Sequence, residues 1–347
     1  MTTRQEPPAL SQSGAAASSG PRTVPVRLTG VGIAVPSGVM ANGDLEALVD
    51  TSDEWIFSRT GIRERRILPP TETLWSMCVP AARQALAQAA LDPADLDLII
   101  VATSSPDYPM PSTAALVQAE LKAFKAAAFD LEAACTGYVY GLAVAKQFIA
   151  TGMYRNVLLI GADMLSRFMD YTDRGTCILF GDGAGATVLQ AGDREGVLST
   201  ILAADGRGAA HLDISANAHE PEAPERMARR AYMHMNGKEI YKFVVEVVPL
   251  AIEQAAAQAG IAVTDVDYFI LHQANARILD AVAKRLHIPA ERMLHNISRY
   301  GNTSAASIPL VLGEAVEDGT IKPGDKLCLV GFGAGLTWAV SIVEWGR

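Results

Sequence analysis

The chain has 347 residues, half of them hydrophobic and 19% charged, so it can bury a large core and is not globally disordered. That length accommodates about two domains. Asp and Glu number 38 against 29 Lys and Arg, and the formal net charge of −9 argues against nucleic-acid binding through bulk charge.

In chain order, residues 1–24 are rich in Ser, Ala, Pro and Gly and have no apolar periodicity, so they are expected to be a disordered tail. They lack the apolar run of a secretory signal; basic residues with little acid leave a transit peptide open, though no clear amphipathic face supports it. From Val24 the pattern is α/β. Short apolar runs at Leu98–Val101, Val157–Ile160, Phe269–Leu271 and Leu327–Val330 read as buried parallel strands. Alanine-rich amphipathic segments at Ala81–Leu91 and Leu250–Ala259 read as helices. A helix, an Asp-containing turn and a strand occur as ALAQAALDPADLDLIIVATSS and again as AIEQAAAQAGIAVTDVDYFILHQAN. The strand pairs repeat at an offset of about 170 residues, which points to a duplicated fold. The halves are expected at 25–195 and 196–347, with a site where their loops converge. No long apolar run is free of charge, Gly or polar interruption, so no membrane span is expected. The nearest candidate, Leu327 to Val343, contains Gly331, Gly333, Gly335 and Thr337 and reads as strand–turn–strand.

Cys78, Cys135, Cys177 and Cys328 form no C-x-x-C pair and are too sparse for a disulfide scaffold; free thiols in a reducing cytoplasm are expected. Cys135 follows an apolar strand and small residues and precedes an amphipathic stretch from Tyr138 to Ala150. That order reads as a nucleophile elbow, and the helix N-terminus is expected to lower the thiol pKa. The other three cysteines read as buried small hydrophobes. Among His211, His219, His234, His272, His287 and His295, only His272 directly follows a buried strand and leads into a helix, Ala274 to Leu286. The others read as solvated, and no pair has zinc-site spacing, so no metal is expected. Asn302, in SRYGNTSAASIPLVL, reads as a turn former or cap that is also open to catalysis. Glycines at 331, 333 and 335 follow the strand at Leu327 and allow close backbone approach to a ligand or oxyanion. Neither this run nor the glycines at 181, 183 and 185 matches a dinucleotide or Walker loop.

Several of these segments together resemble the 3-oxoacyl-[acyl-carrier-protein] synthase III family, the initiating condensing enzymes of fatty acid synthesis. The resemblance runs from about Val24 to Arg347. It is carried by TSDEWIFSRTGIRERR (51–66), FDLEAACTGY (129–138), TDRGT (172–176), FGDGAGA (180–186), LHQANARI (271–278), YGNTSAASIP (300–309) and GFGAGLTW (331–338). It implies a thiolase-like α/β fold, two duplicated halves forming a layered αβαβα core, and a homodimer. It also implies decarboxylating condensation of an acyl-CoA primer with malonyl-carrier protein through an acyl-cysteine. Cys135, His272 and Asn302 match the catalytic triad, and the backbone N–H groups of Cys135 and Ala334 match the oxyanion hole. The family often has glycine where Ala334 stands. Trp55, Arg59 and Arg174 resemble CoA-binding residues. Arg277, Lys284 and Arg285 resemble a basic patch for an acidic acyl carrier protein. Met110 matches a position that shapes the acyl pocket across the dimer interface. Glu132 departs from the small or neutral residue of many relatives; it is expected either to pair with a buried cation or to raise the Cys135 pKa. No cofactor is implied beyond the acyl-CoA and malonyl-carrier protein substrates, and the location implied is cytoplasmic. Alternatives are a specialised-metabolism, polyketide-type acyltransferase or starter-condensing enzyme on the same scaffold, and a Cys-His-Asn hydrolase.

Overall fold

The computed structural model describes residues 23–215 and 231–346. The expected tail therefore lies outside the described residues apart from Thr23 and Val24, and His219 lies outside them too. Nine of the described strands make the two larger sheets. The first contains β1 (Val26–Ala34), β2 (Leu98–Ala102), β3 (Ala127–Leu131), β4 (Asn156–Met164) and β5 (Asp182–Ala191), in the order β1-β5-β4-β2-β3. The second contains β6 (Val197–Ala204), β7 (Tyr268–Leu271), β8 (Lys326–Gly333) and β9 (Thr337–Glu344), in the order β6-β9-β8-β7. The sheets match strand for strand. β1, β5 and β4 pair antiparallel in succession and β2 joins β4 in parallel; β6, β9 and β8 pair antiparallel and β7 joins β8 in parallel. Where β3 extends the first sheet, a single parallel bridge from Phe269 to Met293 stands in the second.

Seven helices are used below: α1 (Asp53–Thr60), α2 (Leu74–Ala89), α3 (Thr113–Leu121), α4 (Gly137–Ala150), α5 (Gly237–Gln258), α6 (Ala276–Leu286) and α7 (Ser307–Glu317). Helices α4 and α7 lie between the sheets. Val139, Leu142 and Ile149 of α4 share one apolar cluster with Val311 and Leu312 of α7 and with Leu159 and Leu329 of the two sheets. Helices α2 and α3 cover the outer face of the first sheet, and α5 and α6 cover that of the second. The result is the layered αβαβα core that the resemblance implies. β2 (LIIVA) is buried at every position, as a strand covered by helices on both faces must be.

The expected helix starts at Ala81 and Leu250 fall just after Pro80 and Pro249, whereas α2 begins at Leu74 and α5 at Gly237 and both run through their prolines. Capping explains the true starts. The Thr73 side chain accepts from Ser76 N–H, and the Asn236 side chain accepts from Glu239 N–H. The helix expected from Ala274 starts at Ala276 for the same reason, with Asn275 as its cap. The strand from Leu327 extends through Gly331 and Gly333, so those glycines belong to β8 rather than to a loop after it.

Candidate active site

Cys135 sits in the short 3₁₀ turn Ala134–Thr136 that joins β3 to α4. Ala134 has φ of +47°, a left-handed conformation that costs a residue with a Cβ about 1–2 kcal/mol. Its N–H donates to Glu132 Oε1 at 2.9 Å, which holds the turn. The second half repeats the device. Ser304 has φ of +51° at the start of the 3₁₀ turn Ser304–Ala306 before α7, and its N–H donates to Asn302 Oδ1 at 2.9 Å.

Ser304 brings the site together. Its hydroxyl contacts Cys135 Sγ at 3.3 Å, its N–H holds Asn302, and its carbonyl accepts from Ser307 Oγ at 2.8 Å. Ser307 Oγ also lies 2.8 Å from His272 Nδ1. His272 directly follows β7 with its N–H on the Val330 carbonyl, 2.7 Å away, and its ring meets Phe332 edge-on at 5.1 Å between centroids. Asn302 is fixed on both backbone sides: its N–H donates to Leu179 O at 2.9 Å and its carbonyl accepts from Gly181 N at 3.0 Å. Because Asn302 Oδ1 accepts from Ser304, its Nδ2 is the other end of the carboxamide and a donor. Behind the turn, buried Asp163 accepts from Ser105 Oγ, Ser104 N and Ala305 N, at 2.7, 2.9 and 3.2 Å, and so ties the first half to the Ser304 turn.

The glycines serve close approach. A Cβ on Gly333 would lie 2.9 Å from Cys135 Cβ, and one on Gly331 would lie 2.9 Å from Thr136 Cα, so β8 can pass beneath the nucleophile turn only without side chains there. Thr136 Oγ1 bonds Thr337 Oγ1 at 2.7 Å, and Thr337 Oγ1 reaches the Ala334 carbonyl at 2.9 Å, which fastens the Ala334 turn to the Cys135 turn. Ala334 is absent from the left-handed residues, so its Cβ is accommodated.

Cys135, 6% exposed, lines a cavity of about 280 Å³ with the apolar Leu165, Phe180, Leu212, Ile214 and Met233. Burial pushes the thiol up to about 12, and the charges of Asp163 and Glu132 add to this, while the Ser304 hydroxyl works against it. The lowered thiol pKa expected from the helix N-terminus is thereby corrected: desolvation by two packed halves outweighs the dipole. The expected effect of Glu132 appears in the predicted direction, and no buried cation pairs with it among the described residues. The sign of the pH dependence follows. A thiol held that high is protonated at neutral pH, so its alkylation rate should climb about tenfold per pH unit, continuing past pH 9. Iodoacetamide labelling of the unliganded protein across pH 7–10 checks this, and a plateau near pH 8.5 would contradict it. His272 moves the other way: burial pushes the ring down to about 3, so it is neutral at physiological pH.

Trp55 on α1 has two guanidinium groups over its ring, Arg59 at 4.9 Å and Arg174 at 4.7 Å from the centroid. Arg174 Nη1 also donates to the Asp50 carbonyl at 2.6 Å. Arg277, Lys284 and Arg285 are exposed on α6, where Arg277 bonds Ser58 O and Arg285 bonds Val245 O, each at 3.1 Å. Met110 is 83% exposed and does not line the cavity of its own chain. His234, expected to be solvated, sits in the strand Met233–Met235 with its Nδ1 3.4 Å from Asp213. Sequence reasoning missed Ser304, Ser307, Asp163 and Phe332. The serines stand inside the YGNTSAASIP segment, but nothing in its order announces which side chains they bond.

Two matched α/β halves with a cysteine elbow facing its counterpart turn define a thiolase-fold condensing enzyme. Comparison with known proteins narrows the class. Profiles described as 3-oxoacyl-[acyl-carrier-protein] synthase III match residues 129–206, and its C-terminal part matches residues 256–345. A beta-ketoacyl-[acyl-carrier-protein] synthase III of Gloeobacter violaceus is 54% identical over 93% of this chain and 99% of the relative. One from Symbiobacterium thermophilum is 51% identical over the same shares. The crystal structure of the Aquifex aeolicus 3-oxoacyl-[acyl-carrier-protein] synthase III aligns with a TM-score of 0.87 at 43% identity, covering 92% of this chain and 100% of that one. The priming beta-ketosynthase of the R1128 polyketide pathway aligns at 0.89 with 34% identity, covering 96% and 99%. The chain belongs to the 3-oxoacyl-[acyl-carrier-protein] synthase III family.

Proposed function

We propose that this acyltransferase condenses an acyl-CoA primer with malonyl-[acyl-carrier protein], releasing CO₂ and giving 3-oxoacyl-[acyl-carrier protein], the initiating step of fatty acid synthesis. Cys135 attacks the primer thioester; the acyl group passes to sulfur and CoA leaves as its thiol, taking the cysteine proton. The backbone N–H groups of Cys135 and Ala334 receive the oxyanion of each tetrahedral intermediate. Malonyl-carrier protein then loses CO₂, leaving an enolate whose oxygen takes hydrogen bonds from Asn302 Nδ2 and His272 Nε2. For His272 to donate from Nε2 while neutral, Nδ1 must accept from the Ser307 hydroxyl, which then turns its one proton from the Ser304 carbonyl to the ring, so Ser307 is the residue that selects the tautomer. A neutral donor suits the step, because an imidazolium would protonate the carbanion. The enolate carbon attacks the acyl-cysteine and frees the thiolate.

One observation carries this reading: Ser304 contacts Cys135 and Asn302 directly and His272 through Ser307, beside an apolar cavity that opens at the sulfur. Trp55 with Arg59 and Arg174 is assigned to the CoA adenine and phosphates, and Arg277, Lys284 and Arg285 to the acidic carrier. In the homodimer that goes with this reading, the exposed Met110 of one copy closes the acyl cavity of the other and sets primer size. Cytoplasmic acyl-CoA and carrier protein put the enzyme in that compartment; among the described residues no helix is long and apolar enough to cross a membrane. The test is CO₂ release from malonyl-carrier protein, with one 3-oxoacyl product expected per CO₂ only when acyl-CoA is supplied. Turnover of acyl-CoA to free acid, with no CO₂, would instead establish a hydrolase.

A further inference from the structure

The cavity at Cys135 has an acidic wall. Glu132 and Asp213 both line it, among the described residues no basic one does, and most of the remaining lining is apolar. Asp213 is partly compensated, accepting from Ser215 Oγ at 2.7 Å and lying 3.4 Å from His234 Nδ1. Glu132 pairs with no cation among the described residues. Nor can it swing aside freely, because Oε1 accepts from Ala134 N at 2.9 Å and from Ser104 Oγ at 3.4 Å. The duplication explains the tether. Glu132 stands to left-handed Ala134 as Asn302 stands to left-handed Ser304, each holding the N–H two residues on. Where the second half has a carboxamide with a donor to spare, the first has a fixed negative charge.

We propose that Glu132 makes the acyl cavity a charge filter, which admits uncharged acyl groups to Cys135 and refuses acyl groups that end in a carboxylate. The proposal rests on reading Cys135 as the acylated thiol. The chemistry gains from such a filter, because the second substrate is itself a thioester ending in a carboxylate and would make a dead-end adduct if it acylated Cys135. Glu132 is exposed enough for water to screen it, yet two like charges sharing so small a cavity still disfavour binding by about tenfold. Buried Asp163 behind the turn adds to the same negative field.

The test measures the acylation rate of Cys135 by intact mass with a matched pair, glutaryl-CoA and pentanoyl-CoA, in the wild type and in Glu132→Gln. Glutamine keeps a carbonyl oxygen for the Ala134 N–H and removes the charge. The glutaryl-to-pentanoyl rate ratio is expected to rise about tenfold in the variant; an unchanged ratio overturns the proposal. A second arm needs no variant: the wild type should accept the monomethyl ester of glutaryl-CoA about tenfold faster than glutaryl-CoA itself, and equal rates overturn the filter. If pentanoyl-CoA leaves wild-type Cys135 unmodified, the acyl-cysteine reading fails instead, so the two failures are distinguishable.

Discussion

Cys135→Ala is expected to lose the acyl adduct altogether and to lower condensation at least about 10⁴-fold, because without the sulfur no acyl-enzyme forms and only binding and oxyanion stabilisation remain. The decarboxylation of malonyl-carrier protein should survive, since its donors, His272 and Asn302, are held by β7, Ser307 and the Leu179–Gly181 backbone rather than by the thiol. Intact-mass analysis after incubation with acetyl-CoA and longer acyl-CoAs reads the adduct. Cys78, Cys177 and Cys328 are all buried and none lines the cavity, so an adduct that persists in the variant would overturn the assignment of the nucleophile. The alanine itself should be tolerated: the counterpart of Cys135 in the second half is Ala305, in a turn of the same shape.

His272→Ala and Asn302→Ala should divide the reaction the other way. Both variants are expected to accept the acyl group on Cys135 and to fail at decarboxylation, each losing about 10²–10³-fold, the effect of one donor to a developing oxyanion at about 2.7–4 kcal/mol. Stopped acyl-enzyme seen by mass alongside absent CO₂ release is the diagnostic pair; loss of acylation in both variants would instead make His272 the base for the thiol. Asn302→Ala also deprives the Ser304 N–H of its acceptor, so some loss of stability accompanies it. The pH dependence adds an independent check. With burial holding the His272 ring down to about 3, the imidazole stays neutral as pH falls through 7 and 6, and wild-type decarboxylation should show no acid limb there. A rate that halves near pH 6.5 would mean that the ring titrates like a solvated histidine.

The duplication was legible in the residues. Apolar runs at Leu98, Val157, Tyr268 and Leu327 mark strands of matched sheets, and the 3₁₀ turns Pro93–Asp95 and Val263–Asp265 sit before β2 and β7 at the same offset. Cys135 was legible as an elbow because a strand, small residues and a helix follow one another locally. The helix starts were less so, because Pro80 and Pro249 are breakers by local chemistry and the caps at Thr73 and Asn236 lie well upstream.

Local order and periodicity thus determined the α/β class, the doubling and the candidate nucleophile, since each depends on neighbours along the chain. Only the tertiary structure decided how the two copies divide the labour. It faces Cys135 of one turn with Ser304 of the other, and leaves Ala305 and Glu132 as the counterparts of Cys135 and Asn302. It also reversed the expected ionisation of the thiol. A helix dipole can be read from sequence, but desolvation arises from atoms of the other half closing over the sulfur, and here the larger effect comes from those distant residues.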